Sequence, residues 1–500
     1  MRVVQPQQMS IGEIDVSQIT FDPRSRDGMP KILRGLQHIY IDPKLRAAIF
    51  DILTEEVAPK TNKDIGRPGM TLWSILVCGA VRLDLNIDYD HLHELVNQHG
   101  TLREMLGHGT FDREHYHFQT LKDNVALLTP ELLDKINQIV VPAGHALLKK
   151  KENEALRGRC DSFVVETNVH FPTDINLLFD AMRKVITLTA QWCEAHGVSD
   201  WRQHAHNVRQ LKRLMRDAQN KKRSKAKNEE QKATNDALIV SAHQTYLDAA
   251  QRTLSSAGKT IIKMLGAHHT TLIDMARKID IDGFMEHAER QIDQIKRRVI
   301  NGEVIPHAEK VFSIFEPHTE WVSKGKPGVP VELGVKVCIL EDQHQFILHH
   351  HVMAQQGDEQ VAVLMVGEAK ARFPTLNVCS FDKGFHSPSN QRALAEQLTL
   401  VALPRKGKLS QAARAIERAP EFVNARRAHS AVESAINGLE VHGLDRCPDR
   451  GIDGFKRYVA LAVLTRNIHR IGEILAQRAL RRLQRATQFA ERRPMERLAI

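Results

Sequence analysis

Apolar residues change their spacing several times along the chain, and each change predicts a different texture. From about 42 to 147 they recur at every third and fourth position without strand-like alternation, which predicts helices. Thr71 is the expected N-cap of the run LWSILVCGAVRLDL, and Thr129 stands before Pro130 and Glu131 with proline at the first helical position. The segment RCDSFVVETNVHF (159–171), rich in Val, Phe and Thr, predicts a strand closed by Pro172. Asp174 is the expected cap of a helix starting near Ile175, and from there to about Asn301 nearly everything reads as helix. VELGVKVCIL (331–340) and FILHHHVM (346–353) then predict a hairpin across the polar EDQHQ. LNVCSF (376–381) and LTLVAL (398–403) read as short strands, with a helix opened by Ser387 and Pro388 between them. Residues 428–439 and 454–483 read as helical.

Strands that alternate with helices imply an α/β core, here split in sequence. The expected fold class is therefore α/β with a mixed sheet, interrupted by a long helical insertion and preceded by an all-helical N-terminal domain. Its expected parts are 1–150, the helical domain; 151–174, the first piece of the core; 175–305, the insertion; 306–470, the rest of the core; and 471–500, a basic helical tail.

Composition narrows the function classes. At 500 residues the chain exceeds one typical core, and 42% hydrophobic with 26% charged residues is a globular profile. Its longest apolar runs are too short to cross a bilayer, and the opening MRVVQPQQMSIGE has no apolar leader, so a cytoplasmic protein without a membrane partner is expected. Cys78, Cys160, Cys193, Cys338, Cys379 and Cys447 form no CxxC pair and read as buried thiols. The net charge of +10 points to a polyanionic partner. Nine Lys or Arg crowd 209–227 (Arg209, Lys212, Arg213, Arg216, Lys221, Lys222, Arg223, Lys225 and Lys227), either a solvated face or a phosphate contact.

Three acids stand where a metal site can be built. Asp161 lies in the first strand, Asp382 directly follows LNVCSF at its carboxyl end, and Glu433 is helical. Hard cations such as Mg²⁺ take carboxylate oxygens, and a pair of ions about 3.5–4 Å apart serves in-line phosphoryl displacement. Spacing alone does not show that these acids meet: a strand-end Asp is more often a turn or cap residue, and a helical Glu more often a surface charge.

The stretches DSFVVETNVHFPTD (161–174), SFDKGFHSPSN (380–390) and HSAVESAINGLEVHGLDRC (429–447) resemble the DDE transposases of bacterial insertion sequences, with the ISNCY-type elements the closest likeness. GRPGMTLWSILVCGAVRLDLNIDYDHLHELV (66–96) resembles the helical N-terminal domain of related transposases. The resemblance implies an RNase H-like core with Asp161, Asp382 and Glu433 as first, second and third acids, holding two Mg²⁺ ions, or Mn²⁺ as a substitute. It implies DNA strand cleavage and strand transfer on double-stranded DNA, both terminal inverted repeats and target, by at least a homodimer at the nucleoid. Some relatives carry a Tyr-Arg-Glu-Lys signature around the third acid; here Arg426, His429 and Glu440 occupy the Tyr, Arg and Lys positions, which puts the Lys contact to DNA in doubt.

Cations near the acids are the expected phosphate contacts. Lys383 follows the second acid, beside Gly384, which is expected to permit a tight backbone path. Arg405, Lys406 and Lys408 leave the strand LTLVAL together, and Arg426, Arg427 and His429 lie ahead of Glu433. The run His349-His350-His351 reads as structural, because strand neighbours point to opposite faces; His268-His269 is a weaker pair.

Overall fold

The computed structural model describes residues 3–5, 8–9, 11–57, 69–223, 228–267, 271–323 and 330–492; Lys225, Lys227, His268 and His269 lie outside them. The chain divides into two compact units, Met1–Asn168 with Val322–Ile500, and Val169–Trp321. It opens with helices α1 (Met29–Ile41), α2 (Pro43–Val57), α3 (Leu72–Asp84), α4 (Tyr89–Gln98), α5 (Gly100–Met105), α6 (Phe118–Val125) and α7 (Pro130–Leu147), then strand β1 (Leu156–Thr167). Next come α8 (Asp174–Ala195), α9 (His204–Arg223), α10 (Glu229–Ala267) and α11 (Leu272–Ile295). The chain returns through β2 (Glu320–Ser323), β3 (Val331–Glu341), β4 (Ile347–Met353), α12 (Asp358–Arg372), β5 (Leu376–Phe381), α13 (Pro388–Gln397) and β6 (Leu400–Ala402). It finishes with α14 (Gln411–Arg418), α15 (Pro420–His429), α16 (Ala431–Leu439), β7 (Arg446–Cys447) and α17 (Gly451–Arg492).

Local chemistry accounts for the starts of these elements. The Thr71 hydroxyl accepts the Ser74 N–H at 3.1 Å and Thr129 caps α7, both at the expected positions. Helix α3 is buried on every face, as an all-round apolar helix must be. The cap of α8 is Thr173, one residue ahead of the expected Asp174, because its hydroxyl reaches the Asn176 N–H.

The sheet is mixed and seven-stranded, in the order β2–β3–β1–β5–β6, with β4 also paired to β3 and β7 to β1. β3 runs antiparallel to β1, pairing Asp161 with Ile339, while β5 runs parallel to β1 and β6 parallel to β5. The hairpin β3–β4 is antiparallel, as its polar turn requires.

Residues 1–150, expected as a separate domain, share one apolar core with this sheet. The packing is close. Ring atoms of Phe346, just before β4, lie 2.1 Å from where a Cβ on Gly144 of α7 would sit. Asn137 of α7 and Asn467 of α17 both donate to the Ile347 carbonyl, at 3.2 and 2.9 Å. Helix α17 runs unbroken across the boundary expected at 470, with Ile471 and Ile474 buried.

The second unit has its own core, formed by Leu178, Met182 and Ile186 of α8, Tyr246 and Leu247 of α10, and Ile281 and Ile292 of α11. Its bounds, Val169–Trp321, compare with the insertion expected at 175–305. Among the described residues no helix is long and apolar enough to cross a membrane.

Candidate active site

Strand alternation sets up the site. Cys160 on β1 is fully buried, so Asp161 points to the opposite face, where it is half-buried and accepts the Ser162 N–H at 2.7 Å. The parallel register sets Phe381 beside Cys160, so Asp382, one residue on, leaves β5 level with Asp161. Asp382 is exposed, and its carboxylate caps the short turn Lys383–Phe385 by accepting the Gly384 N–H at 3.2 Å. Glu433 projects from the first turn of α16, which lies against β1.

Electrostatics ties these side chains together. Burial pushes the Asp161 carboxyl up to about 6; the Ser162 N–H opposes that shift, and the charges of Asp382, Asp358 and Glu433 add to it. Asp382 and Glu433, from distant parts of the sequence, thus both act on the Asp161 carboxyl.

Asp358, in the first turn of α12, is not singled out by any sequence pattern. It accepts the Ser162 hydroxyl at 2.7 Å and pairs with Lys336 of β3 at 3.3 Å. A Cβ built on Gly384 would stand 3.0 Å from one Asp358 oxygen and 3.5 Å from one of Asp382, so both carboxylates crowd the same point. A side chain at 384 would therefore have to displace the Asp358 carboxylate by a few tenths of an ångström; the φ of Gly384 lies outside the left-handed region expected of a glycine turn.

By the chemistry of its ligands, though not by their spacing, this donor set suits a divalent cation. Four carboxylates, Asp161, Asp358, Asp382 and Glu433, offer only hard oxygen ligands, and Lys336 pairs directly with one of them, Asp358. Burial raises Asp161 most, and the neighbouring negative charges that add to the shift are of the kind a bound cation relieves. Their ligand atoms are not gathered as tightly as in two other groups, whose atoms all lie within 4.8 Å of one another and which could hold an ion: Asp84, His442 and His469, and His108, Asp112 and Glu114. Both of those are already closed by hydrogen bonds, His469 to Asp84 and His108 to Asp112, each at 2.6 Å.

The expected phosphate contacts fall into two sets. Lys383 is exposed beside Asp382, and the Lys406 ammonium donates to the Gly384 carbonyl at 2.9 Å, so both stand at the acids. Arg405 is half-buried, its backbone N–H donating to Glu417 at 3.0 Å, while Lys408, Arg426 and Arg427 are exposed. His429 is not a surface cation. Its Nδ1 lies 3.1 Å from the Ser380 hydroxyl, its Nε2 is buried without a partner, and burial holds its pKa below the usual value against the pull of Asp382 and Glu433.

The single helix expected over 428–439 is two helices meeting at Ser430, whose carbonyl accepts the Glu433 N–H at 3.3 Å. Arg426 and His429 therefore sit on α15 and Glu433 on α16. Glu440 falls in the π-turn Glu440–Leu444 beyond them. The His349–His351 run is structural: His349 and His350 are pushed down by burial to about 2 and about 4, Arg372 donates to His349, and His351 pairs with Gln356. No family model, curated protein or solved structure matches the chain.

Proposed function

We propose that the chain is a DNA transposase of the DDE type, which cleaves and joins DNA strands of an insertion sequence. The observation that carries this reading is that Asp382, level with Asp161 across β1 and β5, and Glu433 of α16 both act electrostatically on the Asp161 carboxyl. The strand path β4–β3–β1–β5–β6, with β3 alone reversed, supports an RNase H-like core, and the net charge of +10 suits a polyanionic substrate.

Asp161, Asp382 and Glu433 would hold two Mg²⁺ ions, or Mn²⁺, which when bound supply Lewis-acid activation of the scissile phosphodiester. The chain's own side chains do the rest. Asp382 stands exposed where a DNA backbone approaches, and Asp358, tethered by Ser162 and Lys336, holds the space around Gly384. Lys383 and Lys406 flank that point as donors for phosphate oxygens, with Arg405, Lys408, Arg426 and Arg427 further out. Such contacts position DNA without reading its sequence. His429, neutral and anchored on Ser380, stands behind Asp382 and fixes the junction from which α16 delivers Glu433. No side chain needs to bond covalently to DNA, because water and then a 3′-hydroxyl act as nucleophiles. Two element ends imply at least a dimer on DNA, with the helices of residues 1–150 recognising ends or assembling the complex.

The test compares Asp161→Ala, Asp382→Ala and Glu433→Ala with wild type on DNA carrying the sequences that flank the gene, where this reading expects inverted repeats. Partners that merely orient metal ligands are worth about 10–100-fold in activity, so loss of a ligand should cost more, with DNA binding retained. A variant that cleaves at the wild-type rate would remove its residue from the site. Pre-cut 3′-hydroxyl ends should be inserted into target DNA; cutting without insertion would instead mark a nuclease on the same core.

A further inference from the structure

The second unit holds a cavity of about 640 Å³ that the acids of the first unit do not use. Part of the basic run of α9 turns into it: Lys222 and Arg223 line its wall together with Arg298 and Lys310. Asp174 is the single carboxylate among the lining residues, and Arg298 pairs with it at 2.8 Å. Three further cations remain, so the cavity carries an excess of positive charge. The first turn of α8, a helix of 22 residues, also opens onto it through Asp174, Ile175 and Asn176, and helix N-termini favour anions.

The opposite wall is aromatic. Trp321 stands between Phe171 and Phe312, with ring centroids 5.6 and 5.7 Å away, and Phe171 is 60% exposed. A third feature marks the cavity as built for a ligand. His243 is fully buried and lines it; its Nδ1 donates to the Ile239 carbonyl at 2.7 Å, while Nε2 is buried without a partner. Burial and the Lys222 charge keep that ring neutral against the Ile239 hydrogen bond, so Nε2 is an acceptor waiting for an N–H or O–H.

We propose that this cavity binds a phosphorylated nucleoside, its phosphate on Lys222, Lys310 and the first turn of α8 and its base against Trp321 and Phe312. Phosphate needs the cations and the helix terminus, a base stacks on aromatic rings, and base amino or imino groups supply the donor that Nε2 lacks. The ligand is either a free mononucleotide or the terminal nucleotide of a DNA strand. The inference stands apart from the catalytic reading, because every lining residue belongs to the second unit.

Calorimetric titration of the full chain with deoxyadenosine monophosphate, with deoxyadenosine, and with single-stranded oligonucleotides bearing a 5′-phosphate or a 5′-hydroxyl tests it. The monophosphate should bind at one site per chain and deoxyadenosine at least about tenfold more weakly, the share expected of charge-assisted contacts. The double variant Lys222→Ala/Lys310→Ala and the single variant Trp321→Leu should each weaken binding by a similar factor, with unchanged circular dichroism. A preference for the 5′-phosphorylated oligonucleotide over both its 5′-hydroxyl form and the free monophosphate assigns the strand terminus; preference for the free monophosphate assigns a small-molecule ligand. Absence of binding by every phosphorylated probe at millimolar concentration, equal binding of deoxyadenosine, or undiminished binding by the folded variants overturns the proposal.

Discussion

Gly384 shows how little room the acids leave. A methyl group there would press to 3.0 Å from Asp358, closer than most carbon–oxygen contacts allow, and would touch Asp382 at 3.5 Å. Neither carboxylate can retreat freely, because Asp358 is tied to Ser162 and Lys336 and Asp382 caps the Gly384 N–H. The half-buried position of Gly384 makes the cost local to the site. Gly384→Ala is therefore expected to lower single-turnover strand cleavage by about 10–100-fold, the range for disturbing groups around metal ligands, while the melting temperature stays within about 2 °C of wild type. Wild-type cleavage by that variant would show that the Asp358–Asp382 spacing does not matter to the chemistry.

At the scale of elements, two glycines decide how α1 meets α17. A Cβ on Gly35 would lie 2.3 Å from the Ile468 carbonyl oxygen, and one on Gly472 would lie 1.8 Å from the Lys31 carbonyl oxygen. The helices approach backbone to backbone, so no rotamer change can make space. Gly472→Ala should destabilise the first unit by about 1–3 kcal/mol, the usual cost of overpacking, read as a lower urea midpoint with an unchanged slope. A midpoint at the wild-type value would mean that the crossing opens easily. This contact also explains which features were legible in the sequence. Thr71, Thr129 and Ser387 announced their helices, and LNVCSF its strand, because caps and strand composition are local. The apolar periodicity of residues 42–147 records that faces are buried but not what buries them, so the core these helices share with the sheet leaves no mark in it. Asp358 went unseen because an acid in a helix's first turn ordinarily serves the helix dipole. The pairing that sets Asp382 level with Asp161 depends on strand register, which no local pattern records. The resemblance, not the periodicity, singled out Asp161, Asp382 and Glu433 among 60 acidic residues.

Over the whole molecule, two cores imply two stabilities, and a buried histidine gives one of them a pH dependence. His469 of α17 meets Asp84 of α3 at 2.6 Å and Glu473 at 3.5 Å, and the His442 ring stands 4.8 Å away. Burial alone would push His469 down, but hydrogen bonds to Asp84 and Glu473 outweigh it and raise the pKa to about 8. The folded value lies above the unfolded one near 6.5, so the stabilisation is complete below pH 6.5 and is lost as pH rises through about 8. The difference corresponds to about 2 kcal/mol. Glu473, held near 2, stays ionised in this window. Histidines that burial pushes down act the opposite way: His349, His350, His429 and His442 in the first unit, and His243, His287 and His318 in the second, are half-protonated at pH 6.5 only when unfolded, so each adds about 0.4 kcal/mol as the pH rises. The His469 contribution is therefore read against a variant. Raising the pH from 6.5 to 8.5 should shrink the excess hydrogen-exchange protection, corrected for the intrinsic rate, that wild type holds over His469→Gln in peptides of α3 and α17. The same comparison in α8 and α11 should show no pH-dependent excess. An excess in α3 and α17 that does not change with pH would rule out this histidine as its source.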